Sequence, residues 1–279
     1  MLEHLAGDLV LVDLTTGEIL RKKCPDELVR GYLGGRGLSA YLLLRHLSRT
    51  VAPLDPENIL VFAAGLLGGT RMVTSGRLHV GARSPLTGLI GISNGGGSFA
   101  AELKACGILA LVVTGRAERP VLIDIKGDRI AVEDATDLWG MKTGEAREAI
   151  KGMAGDPQAK VILIGPAGER LSNLGCIMTD VGHAAGRTGM GAVMGSKNLK
   201  AIVARRAGRE SRAVPEAAAE AVKRYVAKLK ALPSWEMWST TGSSTWLTWT
   251  DEMGASGAKN YSQVTFEGVR TACGSNYKD

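Results

Sequence analysis

One order of elements occurs twice in this chain: an apolar run, a glycine-rich turn, a short helix and a second apolar run. In the first copy, residues 59–64 run into Gly65, a turn carries Asn94, Gly95, Gly96 and Gly97, residues 99–105 have helical spacing, and residues 109–114 form the closing strand. In the second, residues 161–164 run into Gly165, a turn carries Gly186, Arg187, Thr188, Gly189 and Gly191, and a short helix leads to a strand at 200–204. Short apolar runs bounded by glycine read as buried strands. Recurrence of the order predicts an internal duplication with two related ligand loops.

The chain contains 37 Gly in 279 residues, nearly double the roughly 7% of an average protein. Glycine lets a ligand reach the main chain, and a glycine turn before a helix aims several N–H groups at one point, which favours phosphate. The surplus at 65–69, 94–97 and 186–195 is therefore read as backbone that approaches a ligand. With 45% apolar and 22% charged residues the composition excludes disorder and a small stapled scaffold. No apolar run reaches membrane-spanning length and the start lacks the order of a signal peptide, which predicts a cytoplasmic protein without membrane contact. Cys24, Cys106, Cys176 and Cys273 are too far apart for local metal-ligand spacing and read as reduced, mostly buried thiols.

Around the repeats, residues 9–14 and 18–22 read as a hairpin, as do 121–125 and 129–132. Helices are predicted at 26–31, 38–47 and 143–153, the last capped by Thr143. Residues 77–83 alternate as a strand, whereas 180–185 do not. Pro215 opens a different region, helical over 216–232, in which Trp235, Trp238, Trp246 and Trp249 are expected to pack an aromatic face on a core.

Between 183 and 212 the basic residues Arg187, Lys197, Lys200, Arg205, Arg206, Arg209 and Arg212 face a single acid, Glu210. They read as a solvated basic face, with Arg187, between two glycines, as the phosphate contact. The formal charge of +6 comes without interleaved stacking aromatics, so nucleic acid is not the expected partner. Arg77 and Arg83 flank glycine-rich loops and either lie on a strand surface or grip a phosphate or heterocycle. His183 either caps the second turn or contacts a phosphate or cofactor. The spacing Gly189-x-Gly191-x-x-x-Gly195 lacks the preceding strand of a dinucleotide fold. No serine-hydrolase elbow, zincin or Walker motif is present, so the residues alone support a binder of a phosphorylated ligand and assign no catalytic residue.

Five strings resemble the aldehyde ferredoxin oxidoreductase family of tungsten enzymes: Gly31-Tyr-Leu-Gly-Gly-Arg-Gly-Leu38, Pro53-Leu-Asp-Pro-Glu-Asn58, Ser84-Pro-Leu-Thr-Gly88, Ala101-Glu-Leu-Lys104 and Ile164-Gly-Pro-Ala-Gly-Glu169. A sixth, Ala184-Ala-Gly-Arg-Thr-Gly-Met-Gly-Ala-Val-Met-Gly-Ser-Lys-Asn-Leu-Lys-Ala201, is long and highly specific. The resemblance implies an α+β fold of two pseudo-symmetric β-sheet halves with flanking helices over 1–210, followed by the beginning of an α-helical domain over 211–279. It implies a tungsten or molybdenum bis-pterin cofactor lying between the halves, with Mg bridging the cofactors' phosphates at Asn94 and the carbonyl of Ala184. By the same resemblance Arg77 lies between a pterin and a [4Fe–4S] cluster, while Gly95, Gly96, Gly97, His183, Ala185, Gly186, Arg187, Thr188 and Gly189 line pterin and phosphate. The family oxidises aldehydes to carboxylic acids and passes the electrons to ferredoxin or another iron–sulfur carrier.

Two departures qualify the resemblance. His183 stands where relatives commonly carry Arg, and Gly65-Leu66-Leu67-Gly68-Gly69 lacks the usual Pro and Thr. The family's C-x-x-C-x-x-x-C cluster ligands are absent, and Cys273 has no such partners. The cluster and proton-handling residues are thus expected from a further segment or a second subunit, and this chain alone is expected not to turn over aldehyde. A stand-alone pterin-binding or assembly protein is the alternative reading.

Overall fold

The computed structural model describes residues 5–70, 72–180, 182–207 and 216–277. The chain forms two units, Met1–Val214 and Pro215–Asp279. The expectations placed on Arg209, Glu210, Arg212 and Pro215 lie outside the described residues.

The first unit contains two six-stranded mixed sheets. In chain order the elements of its first half are β1 (Asp8–Asp13), β2 (Ile19–Lys23), α1 (Asp26–Tyr32), α2 (Gly35–His46), β3 (Leu60–Ala64), β4 (Leu78–Arg83), β5 (Ile90–Gly95), α3 (Phe99–Ala105) and β6 (Ile108–Thr114). The second half comprises β7 (Val121–Lys126), β8 (Arg129–Asp134), α4 (Thr143–Ala154), β9 (Lys160–Leu163), α5 (Pro166–Glu169), β10 (Ile177–Asp180), β11 (His183–Ala185), α6 (Met190–Ser196) and β12 (Leu199–Arg205).

The sheet orders are β2-β1-β6-β3-β4-β5 and β8-β7-β12-β9-β10-β11. In each, the first strand pairs antiparallel with the second and parallel with the last, and the remaining neighbours are antiparallel. The duplication is therefore complete, and it is larger than the repeat of strand, loop, helix and strand read from the sequence. The two hairpins β1–β2 and β7–β8 are equivalent members of it.

Alternation along the strands explains the layering. Val10, Phe62, Leu78, Val80 and Leu111 of one sheet and Ile123, Ile162, Ile177 and Ile202 of the other share one buried cluster, into which α3 adds Phe99 and Leu103 and α6 adds Met190, Val193 and Met194. Opposite side chains of the first sheet, Val61, Ala63 and Ala110, pack on Val29 of α1 and Leu38, Leu42 and Leu43 of α2. Val161, Leu163 and Val203 of the second pack on Ala146 and Ile150 of α4. The short inner helices thus sit in the shared core and the longer ones cover the outer faces.

The halves also share a buried-lysine device. Lys104, at the end of α3, donates Nζ to the carbonyls of Leu5 and Ala6 just upstream of β1. Lys197, at the end of α6, donates to Gly115, upstream of β7, at 3.1 Å and to Pro56 at 2.8 Å. Burial, with Arg116 nearby, lowers the Lys197 pKa to about 7, opposed by Glu57 and Asp13. The unfolded chain therefore holds this proton up to about pH 10.5 while the folded chain releases it near 7. Unfolding takes up a proton in that window, so stability is expected to rise with pH by up to about 1.4 kcal/mol per unit from this group. Denaturation of wild type and Lys197→Met between pH 7 and 9 checks this; the variant should lose that part of the slope.

Several local expectations are corrected. Helix α2 begins at Gly35 rather than after the glycine turn; its cap, Gly34, has φ +79°, and a Cβ there would meet the Ala64 carbonyl at 2.6 Å. Lys142, not Thr143, is the N-cap of α4. Residues 180–185 do contribute strand: β10 ends at Asp180 and β11 is a three-residue edge. The strand orders and pairings nevertheless make β11 antiparallel to β12, so the glycine turn between them is not the parallel crossover of a dinucleotide fold.

Among the described residues of the basic run, Arg187 is exposed but the four that follow it are not a solvated face. Lys197 and Lys200 are fully buried, Arg205 pairs with Asp124 and Arg206 with Glu102. Burial also pushes the Cys106 thiol up to about 11 and raises that of Cys24, consistent with unreactive packed thiols.

In the second unit, α7 (Glu216–Lys230), α8 (Trp235–Thr241) and α9 (Trp246–Glu252) follow one another through short connections, and a longer segment with an isolated Ala258–Gln263 bridge leads to α10 (Val269–Ala272). The expected aromatic packing on a core is not found. Trp238 lies tilted and Trp249 edge-on against Trp246, at 5.5 and 4.8 Å between ring centroids, and the four tryptophans stay 37–50% exposed. Among the described residues no helix is long and apolar enough to cross a membrane.

Candidate cofactor site

The two glycine loops meet. Strands β5 and β11, the edge strands of their sheets, are in contact. Side chains of one half bond the backbone of the other along this seam. Thr179 Oγ1 donates to the Gly96 carbonyl at 2.8 Å, and the Arg187 N–H donates to Ser93 Oγ at 3.1 Å. Ser84 Oγ donates to the Thr188 carbonyl at 2.8 Å, while Ser98 donates Oγ to Asp180 Oδ2 at 2.9 Å. Asp180 Oδ1 also lies 3.7 Å from Arg147 of α4.

Close packing accounts for several glycines. A Cβ at Gly95 would lie 2.4 Å from Thr179 Oγ1, one at Gly97 2.7 Å from Asp180 Cβ, and one at Gly189 2.8 Å from Pro85. On α6, Gly191 would meet Gly175 backbone at 2.6 Å and Gly195 the Gly168 carbonyl at 2.1 Å. These positions are small because protein packs against protein, which corrects the reading of the glycines at 94–97 and 186–195 as backbone that approaches a ligand. Gly65 and Gly186 differ, since an added Cβ would meet nothing within 4 Å. There the main chain is open to a bound group.

Asn94 and Gly95 lie on β5 itself, not in the loop beyond it. Arg77 immediately precedes β4, and its Nη1 donates to Asn94 Oδ1 at 2.7 Å. Asn94 stands directly across from His79. Ala184 and Ala185 are on β11, where Ala184 pairs with Met178 and His183 with Asp180. His183 is exposed, and its ring stands over Gly96, 3.1 Å from where a Cβ would be. Arg187 is exposed at the loop. The structure thus gathers Gly95, Gly96, Gly97, His183, Arg187 and Thr188 at one seam, with the Arg77–Asn94 pair at the end of the same strand β5.

Arg83 does not join them. Its guanidinium donates to the carbonyls of Gly88, Arg49 and Val51 and secures the surrounding loops. Sequence reasoning missed Ser84, Ser93, Ser98, Thr179 and Asp180, whose roles depend on a contact between halves, and His79, which resembles any half-buried strand residue. A cleft of about 530 Å³ opens beside His79, lined by Leu33, Gly65, Gly68, Val73, Ser75 and Arg77 among others. Burial first, then Arg36 and Arg77, lowers the His79 pKa, so the ring is neutral near pH 7.

The set has the chemistry of an anion-accepting surface. Arg77 has no carboxylate partner among the described residues, Arg187 is exposed, and the backbone at Gly186 is open. These features fit a phosphate-bearing organic cofactor.

Comparison with known proteins identifies the family. Residues 9–206 match the model of the aldehyde ferredoxin oxidoreductase N-terminal domain. The tungsten-containing aldehyde ferredoxin oxidoreductase of Pyrococcus furiosus is 50% identical over 196 residues, covering 70% of this chain and 32% of that protein. An aliphatic sulfonate oxidoreductase, WOR-like subunit, from the same organism is 36% identical over 222 residues, covering 72% and 34%. Among solved structures, the active-site complex BamBC of benzoyl coenzyme A reductase, bound to 1,5-dienoyl-CoA, aligns with a TM-score of 0.70 at 39% identity, covering 73% of this chain and 31% of that one. The match spans about a third of the length of these relatives. The duplicated α+β unit and its joined glycine loops therefore place this chain in the aldehyde ferredoxin oxidoreductase family, through that family's N-terminal domain.

Proposed function

We propose that this chain is the cofactor-binding portion of a tungsten or molybdenum bis-pterin oxidoreductase, which oxidises aldehydes to carboxylic acids with ferredoxin as electron acceptor. The observation that carries this reading is the seam: two equivalent glycine loops, one per half, held against each other beside Arg77 and Arg187, which have no carboxylate partner among the described residues. When bound, the pterin-held metal supplies the redox change. Arg187 and the open backbone at Gly186 hold phosphate, while Arg77 and Asn94 orient the neighbouring part of the cofactor. An Mg ion would be held by Asn94 and the Ala184 carbonyl, oxygen donors of the kind a hard cation takes. A [4Fe–4S] cluster and the substrate pocket would come from a further segment or subunit.

The test is the tungsten, molybdenum and pterin content of the protein purified from tungstate- and molybdate-supplemented cells. Wild type should retain metal and pterin together, and Arg187→Gln and Asn94→Ala should each lower retention, roughly ten-fold for a lost charged hydrogen bond. A folded wild type carrying neither metal nor pterin would overturn the reading.

A further inference from the structure

Helix α2 leaves part of the first sheet's outer face uncovered. Leu9 and Leu11 of β1, Leu20 of β2 and Val112 of β6 stand on that face as cross-strand neighbours: Leu11 pairs with Leu20 on one side and Val112 on the other, and Leu9 pairs with Lys22. None of these four apolar residues is buried, and Leu20 is 38% exposed. Together with Lys22, with Leu42 and His46 one turn apart on α2, and with Ile59 just before β3, they line a cleft of about 400 Å³.

The duplication shows that the fold does not require this opening. Strands β7, β8 and β12 repeat the registers of β1, β2 and β6, so Asp124 stands where Leu11 does, Ala131 where Leu20 does, Glu133 where Lys22 does and Arg205 where Thr114 does. There Asp124 and Arg205 form an ion pair at 2.8 Å, each side chain 13% exposed. The second half thus occupies the position with its own paired charges, whereas the first offers leucines around a hollow and an unmatched cation. The seam of glycine loops lies at β5, separated from this cleft by β3 and β4, so the two sites are distinct.

Charge narrows what can fill the cleft. Lys22 has no carboxylate partner among the described residues, and none of the residues lining the cleft is acidic. A single ammonium beside an apolar wall matches an amphiphile with one anionic group, the head bonded to the cation and the chain laid on the leucines. The volume is at the small end for ligand clefts, which suits one short chain and excludes a two-chain lipid. We propose that this cleft binds a medium-chain monocarboxylate, with its carboxylate on Lys22 and its chain against Leu9, Leu11, Leu20 and Val112. The site stands on these residues alone and does not depend on the pterin reading.

Calorimetric titration of the full chain with straight-chain carboxylates from butanoate to decanoate tests it. Affinity should rise about four-fold per added methylene until the cleft is full. Octanoate should bind roughly ten-fold more tightly than neutral 1-octanol, and Lys22→Gln should abolish that difference while leaving octanol binding unchanged. Leu20→Asp puts a like charge at an exposed position of the cleft, and should weaken octanoate roughly ten-fold or more at an unchanged melting transition. Should a variant fail to fold, the chain-length series and the octanoate–octanol pair decide on wild type alone. No saturable octanoate binding by about 1 mM, an affinity flat in chain length, or binding indifferent to Lys22→Gln would overturn the proposal. So would a wild-type dimer in sedimentation that Leu20→Asp splits, since the cleft would then be filled by a second copy.

Discussion

Replacing Glu169 by alanine should destabilise the first unit by about 3–5 kcal/mol. Lys200 Nζ forms an ion pair with Glu169 Oε1, and the two side chains are 0% and 4% exposed. Removing the carboxylate leaves an ammonium in the interior whose remaining hydrogen-bond partner among the described residues is the Met141 carbonyl, at 3.1 Å. It also removes the acceptor of the Gly140 N–H, which Glu169 Oε2 holds at 2.8 Å. Attraction inside a buried pair only offsets desolvation, so the pair is expected to add little net stability although losing one member is costly. The double variant Glu169→Leu, Lys200→Met should therefore recover most of the loss. Chemical denaturation of the three proteins measures both effects; a single-variant loss below about 1 kcal/mol would contradict the buried geometry.

The second large effect is expected at Gly195. A Cβ there would sit 2.1 Å from the Gly168 carbonyl oxygen, with Gly168 carbonyl carbon 2.8 Å away. Both obstacles are backbone, so relief requires α6 to move away from α5. Gly195→Ala is expected to cost about 3 kcal/mol, at the upper end of overpacking effects. Gly186→Ala, with open space at its Cβ, should change stability by less than about 0.5 kcal/mol while reducing cofactor retention. Melting curves and pterin content of the two variants separate glycines that serve packing from those that serve the site. Equal destabilisation by both would refute that division.

The sequence revealed the two glycine loops and their flanking strands because a strand buried on both faces is a continuous apolar run, as at Leu60–Ala64 and over 201–204. It did not reveal that β1–β2 and β7–β8 are equivalent hairpins, since partner choice and sheet position leave no mark on local alternation. The edge strand His183–Ala185 is too short to show a period. Lys197 and Lys200 read as surface charges because their carbonyl and carboxylate partners lie 31 to 141 positions away. At the site, Arg187 and the loop glycines were legible from residue type. The seam made by Ser84, Ser93, Ser98, Thr179 and Asp180 was not, because each of these is an ordinary polar residue until the halves meet.

Exact duplication of the sheets, with one glycine loop from each half at a common seam, makes the number of cofactors the quantity that bears most directly on function. The decisive measurement is the molar ratio of oxidised pterin released to tungsten or molybdenum bound, in the purified protein. Two pterins per metal is the value that two equivalent halves predict. A ratio of one pterin per metal, or pterin-free protein that is otherwise folded, would contradict a paired cradle.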